Sequence, residues 1–261
     1  MDDPEASELS IFKRISCGVD GTPASLIAVR QATRLQDEDG DLHLTAVANV
    51  AKAAHAGIAA AHAAELLQTE AETALAEAKA VAPSATPKLV NGDPVAVLLQ
   101  EAEGATLVAV GSHGRGRAAG MLLGTVAAKM LRDAPCSVLI AKAARDAETW
   151  PRSVVVGIDG SAASAAASAV ARSVTERFSA RLRAVASTTD QLDHEAAQEI
   201  APELEEVPGR AVDTLTAASE SADLMVVGSR GLHGLKALGS VSERVAHQAS
   251  SSVLVVRPGQ R

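Results

Sequence analysis

Aromatic side chains are nearly missing from this chain. It has no tyrosine, two phenylalanines (Phe12, Phe178) and one tryptophan (Trp150) in 261 residues. A core built without them must be filled by Val, Leu, Ile and Ala, which suits close helix-on-sheet layers. The same scarcity excludes an aromatic platform for stacking single-stranded bases. Cysteine is scarce too. Cys17 and Cys136 have neither a metal-ligand nor a redox-motif spacing, and each sits at the edge of an apolar run, so both read as small buried thiols. That usage fits a reducing compartment, and a cytoplasmic location is expected. No stretch of about 18 apolar residues occurs, so no membrane-spanning helix is expected. The opening segment MDDPEASELS is acidic and lacks the apolar centre of a signal peptide. Positive charge is not in excess: the net charge of −8 argues against wide electrostatic capture of nucleic acid. A local basic rim remains open, from Arg115, Arg117 and Lys129.

What the chain does have is a glycine-spaced loop, twice. The first copy reads Gly111-Ser112-His113-Gly114, nine residues, then Gly124-Thr125-Val126. The second reads Gly228-Ser229-Arg230-Gly231, seven residues, then Gly239-Ser240-Val241. Each follows an apolar strand-like run and leads into a helix-like one. Glycines placed there let backbone N–H groups approach a phosphate, and the field of a helix N-terminus favours an anion.

The repetition extends to the whole chain. Cys17-Gly18-Val19-Asp20-Gly21-Thr22 matches Val156-Gly157-Ile158-Asp159-Gly160-Ser161, Ala46 to Ala48 matches Ala184 to Ala186, and Val138 to Ile140 matches Val253 to Val255. The offset between the copies falls from 139 to 115 along the chain. The second copy has therefore lost 21 residues between its second and third strands and two more inside the loop. Two domains are expected, 1–142 and 153–261, with a charged linker at 143–152 that ends in Trp150-Pro151.

Within the first copy, strands are expected at 13–20, 42–48, 88–91, 107–110 and 137–141. Helices are expected from Pro23, capped by Thr22, at 59–81, after Gly92-Asp93-Pro94, and at 125–134. Strict alternation of strand and helix implies an α/β fold with a parallel sheet covered on both faces. Ligands of such open sheets bind beyond the strand C-termini, where strand order reverses. Asp20 and Gly111 share one crevice if their strands are neighbours. A Walker A loop is absent, and so is a Gly-x-Gly-x-x-Gly turn after the first strand. His55 and His62 read as the surface of an Ala-rich helix, no metal site is expected, and no catalytic residue stands out.

These motifs together are similar to those of the universal stress protein family. The Gly-x2-Gly-x9-Gly-Ser/Thr loop, the Val-Asp-Gly-Thr/Ser end of the first strand and the Ala-Pro-Cys-Ser-Val-Leu-Ile lead-in to the fifth strand carry the resemblance. It spans about residues 12–142 and 153–257. It implies two tandem open five-stranded parallel sheets, strand order 3-2-1-4-5, Rossmann-like and flanked by helices. It also implies pairing of the two halves through the fifth strand, with a homodimer as a further option. The cofactor implied is ATP, with or without Mg²⁺, or an AMP-type nucleotide. Asp20 and Val47 would contact the adenine end. Gly111, Gly114, Gly124, Thr125 and Val126 would hold ribose and phosphates, with Ser112 and His113 lining the loop. The counterparts in the second copy are Asp159, Val185, Gly228, Gly231, Gly239, Ser240 and Val241. Its shorter loop displaces the phosphate cradle, and its lost segment is expected to remove a wall of the site. The function implied is a nucleotide-responsive stress or regulatory factor. A slow ATPase and a nucleotide-free scaffold are the alternatives.

Overall fold

The computed structural model describes residues 12–51, 59–114, 123–190, 192–229 and 241–257. The first half contains β1 (Arg14–Val19), α1 (Pro23–Leu35), β2 (Asp41–Ala48), α2 (Ala60–Val81), β3 (Thr86–Asn91), α3 (Pro94–Glu103), β4 (Leu107–Gly111), α4 (Thr125–Asp133) and β5 (Ser137–Ala141). The second half contains β6 (Ser153–Gly157), α5 (Ala162–Phe178), β7 (Arg181–Ser187), α6 (His194–Ile200), β8 (Glu205–Val207), α7 (Ala211–Ser219), β9 (Leu224–Gly228), α8 (Val241–Gln248) and β10 (Ser252–Val256).

Local chemistry sets several of these boundaries. Thr22 caps α1 by accepting from the Ser25 N–H at 3.2 Å, and Pro23 occupies the first helical position. Asp93 caps α3 through Oδ1, which accepts from Val95 and Ala96 at 3.0 Å each. The third strand starts at Thr86, earlier than the apolar pattern implies, because Thr86 and Pro87 pair with His43 and Leu44 of β2. Pro87 is tolerated there because β3 is an edge strand.

The ten strands form one sheet in the order β3-β2-β1-β4-β5-β10-β9-β6-β7-β8. Each half is a parallel five-stranded sheet of order 3-2-1-4-5. The two are fused where β5 and β10 pair antiparallel, Leu139 opposite Leu254. Both strands at this seam are buried throughout. Alternate side chains go to opposite faces: Leu139 and Leu254 join the core under α1, α2, α5 and α6, while Val138, Ile140, Val253 and Val255 join the core under α3, α4, α7 and α8. The fifth-strand edge is thus used within the chain.

A reciprocal pair of cations locks the seam. Lys142 follows β5 and Arg257, its counterpart, follows β10. The Lys142 N–H donates to Ser252 Oγ at 3.0 Å, and the Arg257 N–H donates to Ser137 Oγ at 3.1 Å. Lys142 Nζ donates to the carbonyls of Ala246, at 3.1 Å, and Ala249, at the end of α8. Arg257 Nη2 donates to the Leu131 carbonyl at the end of α4. Each cation satisfies terminal helix carbonyls of the other half and meets the negative end of that helix.

Burial pushes the Lys142 amine down from 10.5 to about 8. Between those values the unfolded chain binds a proton that the folded chain does not, so this group makes stability rise with pH across that window. Urea denaturation from pH 8 to 10.5 should show wild type gaining stability relative to Lys142→Met as pH rises.

Candidate functional site

β1 and β4 are parallel neighbours, with Cys17 opposite Ala109. Their chain continuations leave toward opposite faces of the sheet, to α1 and to α4. A crevice of about 390 Å³ opens at this divergence. Asp20, Val47, Gly111, His113, Gly114, Gly124, Thr125 and Val126, all singled out in the sequence, line it. Ser112 does not: it is buried, and its Oγ lies 2.7 Å from His113 Nδ1. Lys129 pairs instead with Asp133 at 3.3 Å on α4, and Arg115 and Arg117 lie outside the described residues.

The glycines act through space rather than through left-handed backbone. A Cβ on Gly111 would lie 2.6 Å from the Ala24 carbonyl carbon and 2.8 Å from the Ser25 nitrogen. Its role is therefore close approach of the β4 terminus to the start of α1. A Cβ on Gly114 would lie 3.0 Å from Asp20 Oδ2, so this glycine keeps the space beside the carboxylate open. Gly124 caps α4 with extended backbone, φ −73° and ψ 159°, and supplies no side chain to the helix N–H groups. Its own N–H donates to Ser112 O at 2.8 Å, which closes the base of the loop. The first N–H groups of α4 thus face the crevice without a side-chain cap, where an anion is favoured.

Asp20 is held by a local turn. Its Oδ1 accepts from the Thr22 N–H at 3.0 Å and from Thr22 Oγ1 at 2.6 Å. It is the one carboxylate among the described residues lining the crevice. Sequence reading missed Thr45. This residue lies two before Val47 on β2, lines the crevice, and has a buried hydroxyl with no hydrogen-bond partner among the described residues. The strand period of two was the signal, since Thr45 and Val47 share a face. Pro94 and Leu98 of α3 supply an apolar side. Cys17 and Cys136 are free and buried, and burial pushes their thiols up to about 12 and about 11, away from thiolate chemistry.

The second half repeats the arrangement with altered chemistry. Its crevice measures about 370 Å³ and is lined by Asp159, Val185, Gly228 and Val241 among others. Gly231, Gly239 and Ser240 lie outside the described residues. The expected loss of a wall is not seen in this volume. The seven-residue α6 stands where the first half has the 22-residue α2. Asp193 closes against the Gly160 turn, donating its N–H to Asp159 O at 3.2 Å. Arg210 and Arg244 line this crevice, whereas no Lys or Arg is among the described residues lining the first.

The topology and the paired crevices define a duplicated, doubly wound α/β protein. The model of the universal stress protein family matches residues 11–142 and 183–257. Universal stress protein Rv2623 of Mycobacterium tuberculosis is 32% identical over 212 residues, covering 70% of this chain and 71% of that protein. Universal stress protein Rv2005c of the same organism is 34% identical over 200 residues, covering 65% and 68%. The crystal structure of a universal stress protein from Archaeoglobus fulgidus superposes over 97% of this chain and 99% of that one, with a TM-score of 0.75 at 22% identity. The chain belongs to the universal stress protein family. The family match begins again only at Arg183, yet residues 153–178 fold into β6 and α5 as the first half folds into β1 and α1.

Gly111→Ala should destabilise the fold by about 1–3 kcal/mol, because the methyl meets backbone that cannot yield. Gly124→Ala, whose nearest contact would be 3.4 Å, should cost no more than about 1 kcal/mol. Chemical denaturation of the two variants side by side checks the contrast.

Proposed function

We propose that the first half binds an adenine nucleotide, with ATP as the ligand and an AMP-type nucleotide as the alternative, and that the chain acts as a nucleotide-responsive stress or regulatory factor. The observation that carries this reading is the α4 N-terminus at Gly124, which opens on the crevice with no side-chain cap. The phosphates belong there, with Gly114, Thr125 and Val126 beside them. Asp20 and Val47 would hold the adenine end. Binding then acts on a partner only through a conformation that prefers the nucleotide, and the glycine loop and helix 59–81 are the elements it would order.

A sensor fits better than an enzyme. Among the described residues Asp20 is the one carboxylate lining the crevice and is held by Thr22, and Ser112 is buried, so these residues supply neither a carboxylate pair nor a placed nucleophile. In the second half the glycine-loop spacer is seven residues rather than nine and the short α6 replaces α2, which favours a role as permanent structural partner over a second ATP site.

Mass spectrometry of nucleotide released on denaturation, followed by calorimetric titration of stripped protein, tests the proposal. About one ATP per chain is expected. Gly114→Asp should weaken it at least about tenfold, because a side chain there fills the open space of the crevice and brings a second negative charge to the anion site. A well-folded protein that takes up no nucleotide would leave the scaffold reading.

A further inference from the structure

The crevice of the second half carries charges that the first lacks. Arg210 and Arg244 line it, and so do Asp159 and Asp190. The same places in the first half as the two arginines are held by Asp93 and Lys129, and neither of those lines the first crevice. The backbone is repeated and the side chains are not, so the arginine side chains are what reach the second crevice. Arg210 is exposed and Arg244 half-buried. Neither forms an ion pair or a side-chain hydrogen bond among the described residues.

Both cations stand at the unfavourable end of a helix. Arg210 is the N-cap of α7, and Arg244 lies near the start of α8. The field at a helix N-terminus disfavours positive charge. Arg210 also gives α7 no side-chain cap, whereas Asp93 caps α3 through Val95 and Ala96. Capping has moved to Asp190, whose Oδ2 accepts from the Ala211 N–H at 2.5 Å. Asp190 is held there by Ser187 Oγ, which accepts from the Asp190 N–H at 3.4 Å and donates to Gly209 O at 2.5 Å. The relocated cap frees position 210 for a cation, and two locally unfavourable cations share one crevice. Residues that break a local rule in this way belong to functional sites, and an anion held by both guanidinium groups removes the conflict.

The acidic residues decide what carries the anion. Ionised Asp159 and Asp190 are acceptors only, and Asp159 Oδ1 already takes the Ser161 N–H at 3.0 Å. A ligand body beside them must bring donors, as hydroxyl groups do. A purine is poorly served. The wall formed by Pro94 and Leu98 in the first crevice includes Arg210 and Asp190 in the second, and a flat apolar ring there would strip water from both charges. The volume of about 370 Å³ suits a small molecule. We propose that the second crevice binds a sugar phosphate, its phosphate on Arg210 and Arg244 and its hydroxyls toward Asp159 and Asp190. The second half then has a ligand of its own beside its structural role.

Calorimetric titration of the nucleotide-stripped full chain with ribose 5-phosphate tests this assignment. About one equivalent per chain is expected, with ribose at least about tenfold weaker, and with inorganic phosphate and AMP both weaker than the sugar phosphate. Arg210→Gln and Arg244→Gln should each weaken binding about tenfold. Circular dichroism establishes that each variant is folded. If Arg244→Gln does not fold, the exposed Arg210 position decides. The proposal is overturned if ribose 5-phosphate does not saturate, or if ribose, inorganic phosphate or AMP binds as tightly. It is overturned as well if the folded arginine variants bind as wild type, because the ligand would then sit elsewhere. These titrations contain no ATP, so its failure to bind the first half leaves their outcome intact.

Discussion

The antiparallel contact of β5 with β10 is the constraint on which the rest of the molecule depends. Each half on its own is an open sheet ending in an apolar strand with unpaired N–H and C=O groups, a template for uncontrolled pairing. Here each half supplies the missing neighbour of the other: Val138, Leu139 and Ile140 meet Val255, Leu254 and Val253. The side chains of both strands then complete cores on the two faces of the sheet. Lys142 and Arg257 extend this mutual completion to the helices, because the last carbonyls of α8 and α4 find their donors across the seam. The crevices inherit their walls from this frame, since α4 and α8 begin at the two mouths and end at the seam.

Duplication followed by unequal change explains the contrast between the halves. The seam strands remain apolar and equal in length on both sides. The crevices have drifted apart: α2 has been replaced by the much shorter α6, and Arg210 occupies the place of the helix cap Asp93. Packing constrains the seam from both sides at once, whereas a crevice wall answers only to what it binds.

Features that rest on local chemistry were legible in the sequence. β5 spans Ser137–Ala141 as the apolar run implied, and Thr22-Pro23 marked the start of α1. The neighbouring positions of Asp20 and Gly111 followed from the strand order that the motifs suggested. What escaped was non-local. The reason for Gly111 is a backbone contact with Ala24, which no spacing reveals. Ser112 is buried rather than lining the crevice, because its N–H is anchored to the Ala141 carbonyl of β5, a partner that the loop motif does not reveal. Thr45 reads as one more strand residue until β2 is seen to flank the crevice. The carbonyl partners of Lys142 and Arg257 lie more than a hundred residues from them, so no local pattern could pair them.

The antiparallel seam has a geometric consequence for any partner. Within each half all strands run one way, and across the seam they run the other way. The two mouths therefore open at opposite margins of the sheet. A partner that covers one margin leaves the opposite one facing outward.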